Sequence, residues 1–314
     1  MVNKSRSGFS NIYMVELLYR NKPSLDRAGL NRAMHQVAPA SGKKSLGWEK
    51  AGDENTFIYF HNDYLVTYRD KSSPSQTCVM PHQAPITPER FRDGLRQIWH
   101  WPQAQAVLQE CTYSLLVTDF LASSLYYKDR LDIFQNALGA LMKAAPCDAI
   151  YWYASQKFLE PAKYLEAIEF NETLYGAVNI RLFDIENNQP RSGHREVLMD
   201  TCGLAALGIP DLQCHFYTAE ALGGSTFSRN TAKLAQPAIS QTLTPNTVRD
   251  FLLDVAYVLF DKGNIFENGD FCGVDEDKQW RCEHQHAMAK PDRFVLDLDP
   301  GSPHYAGFQS HKTP

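Results

Sequence analysis

The chain has 314 residues, 44% of them hydrophobic and 12% aromatic, so it holds enough apolar material for one large or two ordinary domains. The formal net charge is −5 and no Lys/Arg run exceeds a pair, which excludes the basic footprint of a nucleic-acid-binding protein. The longest apolar runs, such as residues 113–117 and 255–260, are far shorter than the roughly 20 residues of a membrane span, so a transmembrane helix is excluded as well.

Cysteine usage and the N-terminus predict the compartment. The seven cysteines have no framework spacing, a pattern typical of reduced thiols rather than disulfides. Glu16 and Arg20 interrupt the apolar part of the N-terminus, and no small-residue cleavage site follows, which argues against a secretory signal. We therefore predict a cytoplasmic protein without nucleic-acid or membrane partners.

The first part of the chain predicts a strand, a helix, several strands and a second helix. Apolar residues predict a strand over residues 12–19, and Pro23-Ser24 caps a helix over residues 25–37. Short runs around Trp48 and over residues 57–60, 64–68 and 77–80 indicate a meander. Thr87-Pro88 opens a helix that extends to about Trp101, before Pro102.

The same order returns after residue 111. A strand over residues 113–120 and a helix over 128–143 precede strands over 148–153, 178–185, 196–200 and 212–216 and a helix over 244–260. Between the last two strands, Gly203, Gly208 and Pro210 bracket a bend. Residues 87–95 and 244–252 also match locally, although Thr-Pro helix openings are ordinary and explain part of that match.

This pattern predicts an α+β fold of two tandem strand-helix-strands-helix copies, with mainly antiparallel sheets and helices packed on one face. The domains would be residues 1–110 and 111–314. The second would carry the polar loop of residues 223–241 and short C-terminal strands.

Two groups of cysteine and histidine residues are candidates for chemistry. Cys214 and His215 are neighbours on a predicted strand, so their side chains point to opposite faces and cannot form a nucleophile–base dyad with each other. In a second group, Cys282, His284 and His286 share one strand face by their alternate spacing, and together with Cys272 they could supply four zinc ligands. The spacing lacks a C-x-x-C element, which favours a half-exposed edge strand over a metal site.

Acidic and aromatic side chains offer further candidates. Asp297 and Asp299 alternate on one strand face, and a solvated sheet edge explains them better than general acid–base work. For partner binding, the candidates are Tyr151, Trp152 and Tyr153, with core packing as the alternative, and Ser225 and Arg229 in the polar loop. The nucleotide, acyl-transfer and metalloprotease motifs are missing, and we predict no cofactor.

Several stretches together resemble a bacterial family, the domain-of-unknown-function 4261 family. They are NIYMVELLYRNKPSLD, PSQTCVMPH, DAIYWYASQKFL, VNIRLFDIE, LMDTCGLAALGIPDLQCHF, WRCEH and VLDLDPG. The family has no agreed activity, so the resemblance assigns no site residue. It implies a bacterial cytosolic protein, and related uncharacterised families are often encoded beside polymorphic toxins.

Two functions remain open at this point. The first is a non-catalytic immunity protein that neutralises a bacterial toxin by occluding its active site. The alternative is a metal- or thiol-dependent hydrolase that uses residues of the cysteine and histidine groups above.

Overall fold

The computed structural model describes residues 12–36, 46–50, 56–68, 70–185, 194–219, 243–273 and 279–307. The chain divides into two compact units, which are described separately. Unit 1 comprises Met1–Asn179 and Cys202–Gly208, and unit 2 comprises Ile180–Thr201 and Ile209–Pro314. Both contain helices and a mainly antiparallel sheet, which confirms the predicted α+β class.

Unit 1 is built on a seven-stranded sheet of order β2-β3-β4-β5-β1-β6-β7. Its strands are β1 (Met14–Tyr19), β2 (Leu46–Lys50), β3 (Phe57–Tyr68), β4 (Lys71–Pro81), β5 (Tyr113–Phe120), β6 (Ala149–Trp152) and β7 (Lys157–Leu159). Its helices are α1 (Arg27–Gln36), α2 (Arg92–Leu95), α3 (Ala104–Glu110), α4 (Tyr127–Ala144), α5 (Pro161–Glu169) and α6 (Leu174–Ala177).

The core of unit 1 has ferredoxin-like topology. In chain order β1, α1, β4, β5, α4 and β6 form a β-α-β-β-α-β series, and the four strands pair antiparallel in the order β4-β5-β1-β6. Helix α4 covers the face that carries Tyr13 and Trp152, because both rings contact Phe134 of α4. The predicted boundary at residue 110 falls inside this unit, since β5 pairs with β1 and β4. The first strands of the two predicted copies, β1 and β5, thus pair in one sheet. The two complete tandem copies remain a prediction.

One predicted helix is wrong. Residues 87–101 were expected to be helical, but turns occupy residues 88–91 and α2 covers only Arg92–Leu95. The reason is tertiary packing. The Phe91 side chain is buried against the Tyr151 and Phe158 rings, and Gly94 lies so close to Tyr151 that a Cβ atom would be 2.7 Å from its ring.

Unit 2 is built on a six-stranded sheet of order β11-β12-β13-β10-β9-β8. Its elements are β8 (Asn179–Asp184), β9 (His194–Cys202), β10 (Asp211–Ala219), α7 (Pro245–Lys262), β11 (Phe271–Cys272), β12 (Trp280–His286) and β13 (Phe294–Asp299). Helix α7 starts where predicted, because Thr244 and Thr247 form a capping box and Pro245 occupies the first turn. It packs on the sheet face that carries Trp280, whose ring lies 4.1 Å from that of Phe251.

The predicted bend between β9 and β10 is confirmed. A short 3-10 helix, Leu204–Leu207, lies between Gly203 and Gly208, and both glycines have positive φ. Glycine is required at position 203, because a Cβ atom there would lie 2.0 Å from the carbonyl oxygen of Ala177. Within the described residues, none of the helices has the length and apolar character needed to cross a membrane.

Candidate functional site

The three aromatic residues proposed for partner binding have different environments. Tyr151 and Trp152 are buried in the core of unit 1, so neither ring lies on the surface. Tyr153 is half-buried, and its hydroxyl donates a hydrogen bond to Glu16 Oε2 at 2.6 Å. Ser225 and Arg229 lie outside the described residues. Tyr153 is thus a half-buried residue linked to a buried carboxylate.

The candidate zinc ligands share a sheet face but do not converge. Cys282, His284 and His286 alternate along β12 as predicted, with Cys272 on the neighbouring β11. His284 Nδ1 lies 2.9 Å from Asn268 Oδ1, and the His286 ring stacks on Phe294. Among the residues that the structure describes, three or more His, Cys, Asp or Glu side chains nowhere come together to hold a metal ion.

Cys214 and His215 lie on opposite faces of β10, as strand alternation predicts. Burial raises the pKa of the Cys214 thiol well above its ordinary value, so the nucleophilic thiolate is disfavoured. On the other face, His215 Nε2 lies 2.7 Å from Glu196 Oε1, and Nδ1 lies 2.8 Å from the Gly307 carbonyl oxygen. Both ring nitrogens therefore have partners within the unit.

Unit 1 contains a polar cluster that the sequence did not reveal, formed by Glu16, His82, Arg90 and Tyr153. Glu16 is fully buried in the middle of β1, and Arg90 Nη2 donates to its Oε2. His82 Nδ1 lies 3.2 Å from the other carboxylate oxygen. Arg90 Nη2 also donates to the Tyr153 hydroxyl at 2.9 Å. One buried carboxylate thereby anchors three side chains that lie 66 to 137 residues away from it in the chain.

The electrostatics of this Glu16 cluster fit a compensated ion pair. Burial lowers the pKa of Arg90, but hydrogen bonds to Glu16 and Tyr153 outweigh burial and raise it. Burial and the hydrogen bond to Glu16 raise the pKa of Tyr153 to about 12, so the phenol stays protonated near neutral pH. Arg90 Nη1 also donates to the carbonyl oxygens of Ala84 and Pro85, at 3.3 and 3.2 Å. The cluster thus holds the segment after β4 against the centre of the sheet.

Beside the Glu16 cluster, the sheet has a half-exposed apolar surface, which we call the open face. Met80 and Leu116 are cross-strand partners, and Leu116 is also opposite Glu16. The face is defined by Met14, Ile58, Phe60, Met80, Leu116 and Phe120, which are half-buried except for the exposed Phe120. Alternate residues of the same strands, such as Tyr59 and Val117, are buried on the face that α4 covers. The sequence did not predict the open face as a binding surface.

Unit 2 contains a buried polar row on the sheet face opposite α7. Asp297 accepts hydrogen bonds from Gln213 Nε2 at 2.9 Å and from the Tyr305 hydroxyl at 2.8 Å. This placement corrects the expectation of a solvated edge, because β13 lies between β12 and β10 and Asp297 is buried. Burial raises the pKa of its carboxyl, although the hydrogen bonds from Gln213 and Tyr305 partly oppose that shift.

Replacing Asp297 with asparagine tests the cost of burying this carboxylate. A raised folded-state pKa means that the folded protein binds more protons than the unfolded chain between the two pKa values. Asp297 therefore contributes most stability below its unfolded pKa and loses that contribution as the pH rises through its folded pKa. We measure the unfolding free energy of Asp297→Asn minus that of wild type in urea titrations. This difference should increase as the pH rises from about 4 to neutral. A difference that stays constant with pH would contradict the assignment.

A family model matches residues 237–299, a stretch that includes α7 and strands β11 to β13. The matched family is the domain of unknown function DUF4261. The match confirms, over those residues, the resemblance seen in the sequence. The DUF4261 stretch includes Asp297 and the candidate zinc ligands, whereas the Glu16 cluster lies outside it. No curated protein and no solved structure matches the chain.

Proposed function

We propose that this protein acts by binding a protein partner through the open face of unit 1, and that the partner is a bacterial toxin whose active site it occludes. The open face carries the proposal. A sheet face lined by half-exposed Ile, Phe, Met and Leu side chains has the composition of an interface core, in which apolar and aromatic residues are enriched.

The Glu16 cluster supports the same function. Its buried carboxylate is compensated within the chain, so the cluster gives the neighbouring apolar residues a fixed polar border. His82 and Arg90 keep part of their surface accessible, at 28% and 19% of the side chain. An apolar centre with partly accessible polar groups beside it matches the core-and-rim arrangement of protein interfaces.

Charge and family context support the choice of a toxin. The net charge of −5 favours association with a basic partner through electrostatic steering. The toxin assignment itself rests on analogy with uncharacterised families encoded beside polymorphic toxins. In this proposal the protein acts in the cytoplasm, and it protects the cell in stoichiometric rather than catalytic amounts.

Replacing Phe120 and Phe60 together with serine should weaken the complex with the toxin encoded by the neighbouring gene. If the open face is the interface core, loss of two aromatic anchors should reduce the affinity by at least about 30-fold, equivalent to about 2 kcal/mol. Titration calorimetry measures that change, and growth of cells that co-express toxin and variant reports the loss of protection.

Phe170→Ser is the matched control, because the Phe170 side chain is 71% exposed and lies at the end of α5 rather than on the open face. It should leave affinity and protection unchanged. Wild-type affinity in the double variant, with the fold preserved by circular dichroism, would rule out the open face. If no toxin gene is adjacent and none co-purifies, the toxin assignment fails, although binding to another protein would remain testable with the same variants.

A further inference from the structure

His82 stands at the border between the Glu16 cluster and the open face. It directly follows β4, and its amide donates a hydrogen bond to the Ser114 carbonyl oxygen at 3.0 Å, which continues the pairing of β4 with β5. Strand alternation places its ring on the same side of the sheet as Met80, two residues earlier. The ring therefore lies next to the apolar residues that we assign to the interface core.

The contacts of Nδ1 decide which nitrogen of the His82 ring carries a hydrogen. Nδ1 lies 2.8 Å from Arg90 Nη2 and 3.2 Å from Glu16 Oε1. A guanidinium group has hydrogens to donate and no acceptor, so the shorter contact is a hydrogen bond only if Nδ1 is bare and accepts. The longer contact is at the outer limit for an N–H···O bond. In the neutral ring, the hydrogen must then be on Nε2.

The guanidinium group of Arg90 is held in place, so it cannot turn away from Nδ1. Its Nη1 donates to the carbonyl oxygens of Ala84 and Pro85, and its Nη2 donates to Glu16 Oε2. Protonation of the ring would not change the outer nitrogen, because both nitrogens of an imidazolium carry a hydrogen. Nε2 of His82 is therefore a hydrogen-bond donor in the neutral and in the charged ring.

Nε2 is available to a partner. Within the part of the chain that the structure describes, it makes no hydrogen bond, and it is not a buried atom. The His82 side chain keeps 28% of its surface accessible. Water satisfies this donor in the free protein, but a partner that covers it must supply an acceptor or lose affinity.

We propose that His82 is a fixed hydrogen-bond donor of the interface, and that the partner pairs its Nε2 with a main-chain carbonyl oxygen of the segment that covers the open face. This inference rests on the proposed binding function. The choice of a neutral acceptor follows from charge, because Arg90 and Glu16 compensate each other and a neutral His82 adds none. A partner carboxylate covered at this place would bring an uncompensated charge, which a carbonyl avoids. Arg90 is a positioning residue, since it acts by holding the tautomer of His82.

Nitrogen-labelled protein tests the tautomer without any partner. At about pH 8, where an ordinary imidazole is neutral, long-range proton–nitrogen correlation spectra separate bare from hydrogen-bearing ring nitrogens. The His82 signals are those that disappear in His82→Asn. We expect a bare Nδ1 and a hydrogen on Nε2. A hydrogen on Nδ1 would overturn the inference, whatever the fate of the proposed function.

Two amide variants test the donor in the complex with the toxin encoded by the neighbouring gene. Asparagine reaches only as far as Nδ1, whereas glutamine carries an amide donor out to the position of Nε2. We expect His82→Asn to weaken binding at least about tenfold and His82→Gln to stay within about threefold of wild type. Circular dichroism checks that both variants are folded. Equal losses in the two variants, or no loss in either, would contradict the role of Nε2.

Titration calorimetry in two buffers of different ionisation enthalpy identifies the acceptor. A carbonyl leaves the ring neutral, so wild type should take up no more protons on binding than His82→Gln does. A carboxylate would favour the imidazolium, and proton uptake specific to wild type would therefore exclude the carbonyl. If the Phe60 and Phe120 double variant binds as tightly as wild type, the proposed function fails and the partner's carbonyl with it, whereas the tautomer of His82 is decided by the spectra of the free protein.

Discussion

Replacing Asp200 with alanine is expected to lower the free energy of unfolding of unit 2 by about 3–5 kcal/mol. Asp200 is fully buried on β9 and accepts hydrogen bonds from two buried guanidinium groups. Arg181 donates through Nε and Nη2 at 2.8 and 2.6 Å, and Arg293 donates through Nη2 at 2.8 Å. Removing the carboxylate leaves both cations in a poorly solvated site with less compensation, which costs more than the lost attraction alone.

Chemical denaturation followed by circular dichroism measures this loss. Asp250→Ala is the control, because Asp250 also pairs with an arginine, Arg249, but its side chain is 65% exposed. A surface pair of this kind contributes at most about 1 kcal/mol. If Asp200→Ala costs no more than the control, the buried network does not stabilise unit 2 in the way described.

Replacing Leu252 with alanine is expected to cost about 2–5 kcal/mol. Leu252 is fully buried on α7, within a stripe that also includes Val248, Val255, Ala256 and Leu259. Truncation removes buried apolar area and leaves a cavity between the helix and the sheet.

The neighbouring residue on the same helix gives a matched control. Leu253 is 37% exposed, so Leu253→Ala loses less buried area than Leu252→Ala and should cost about 1 kcal/mol or less. The two variants share helix propensity and side-chain chemistry, and they differ in burial. Equal losses in urea denaturation would show that Leu252 does not occupy a packed core position.

The two Thr-Pro segments show how far local signals reach. Both residues 87–95 and 244–252 carry the same helix-start pattern, and both were expected to begin long helices. Thr244 completes a capping box with Thr247, and α7 extends for 18 residues. In the other segment, Arg90 lies three residues after Thr87, and its side chain donates a hydrogen bond to Glu16 instead. The Phe91 side chain packs in the core against Phe158. A buried ion pair and aromatic packing thus outweighed a modest helix preference.

The candidate sites were predictable only in part. Glu16 stands as a charged residue within an apolar strand, which was the one available signal for the polar cluster in unit 1. Its partners Arg90 and Tyr153 are 74 and 137 residues away, so their contact with it depends on the order of the strands. Asp297 was assigned to a solvated edge because a single strand pattern does not say which strand becomes the edge of a sheet.

By itself, the sequence determined the α+β class, the extents of α4 and α7, the glycine bend at residues 203–208 and the placement of Cys214 and His215 on opposite strand faces. These features were predictable because periodicity, caps and turn residues act over a few neighbouring positions. The tertiary structure alone decided that β5 joins β1 in one sheet, that Tyr151 and Trp152 are buried and that the open face lies beside Glu16. Those features depend on which strands pair and which face a helix covers, and long-range burial and hydrogen bonding set that choice.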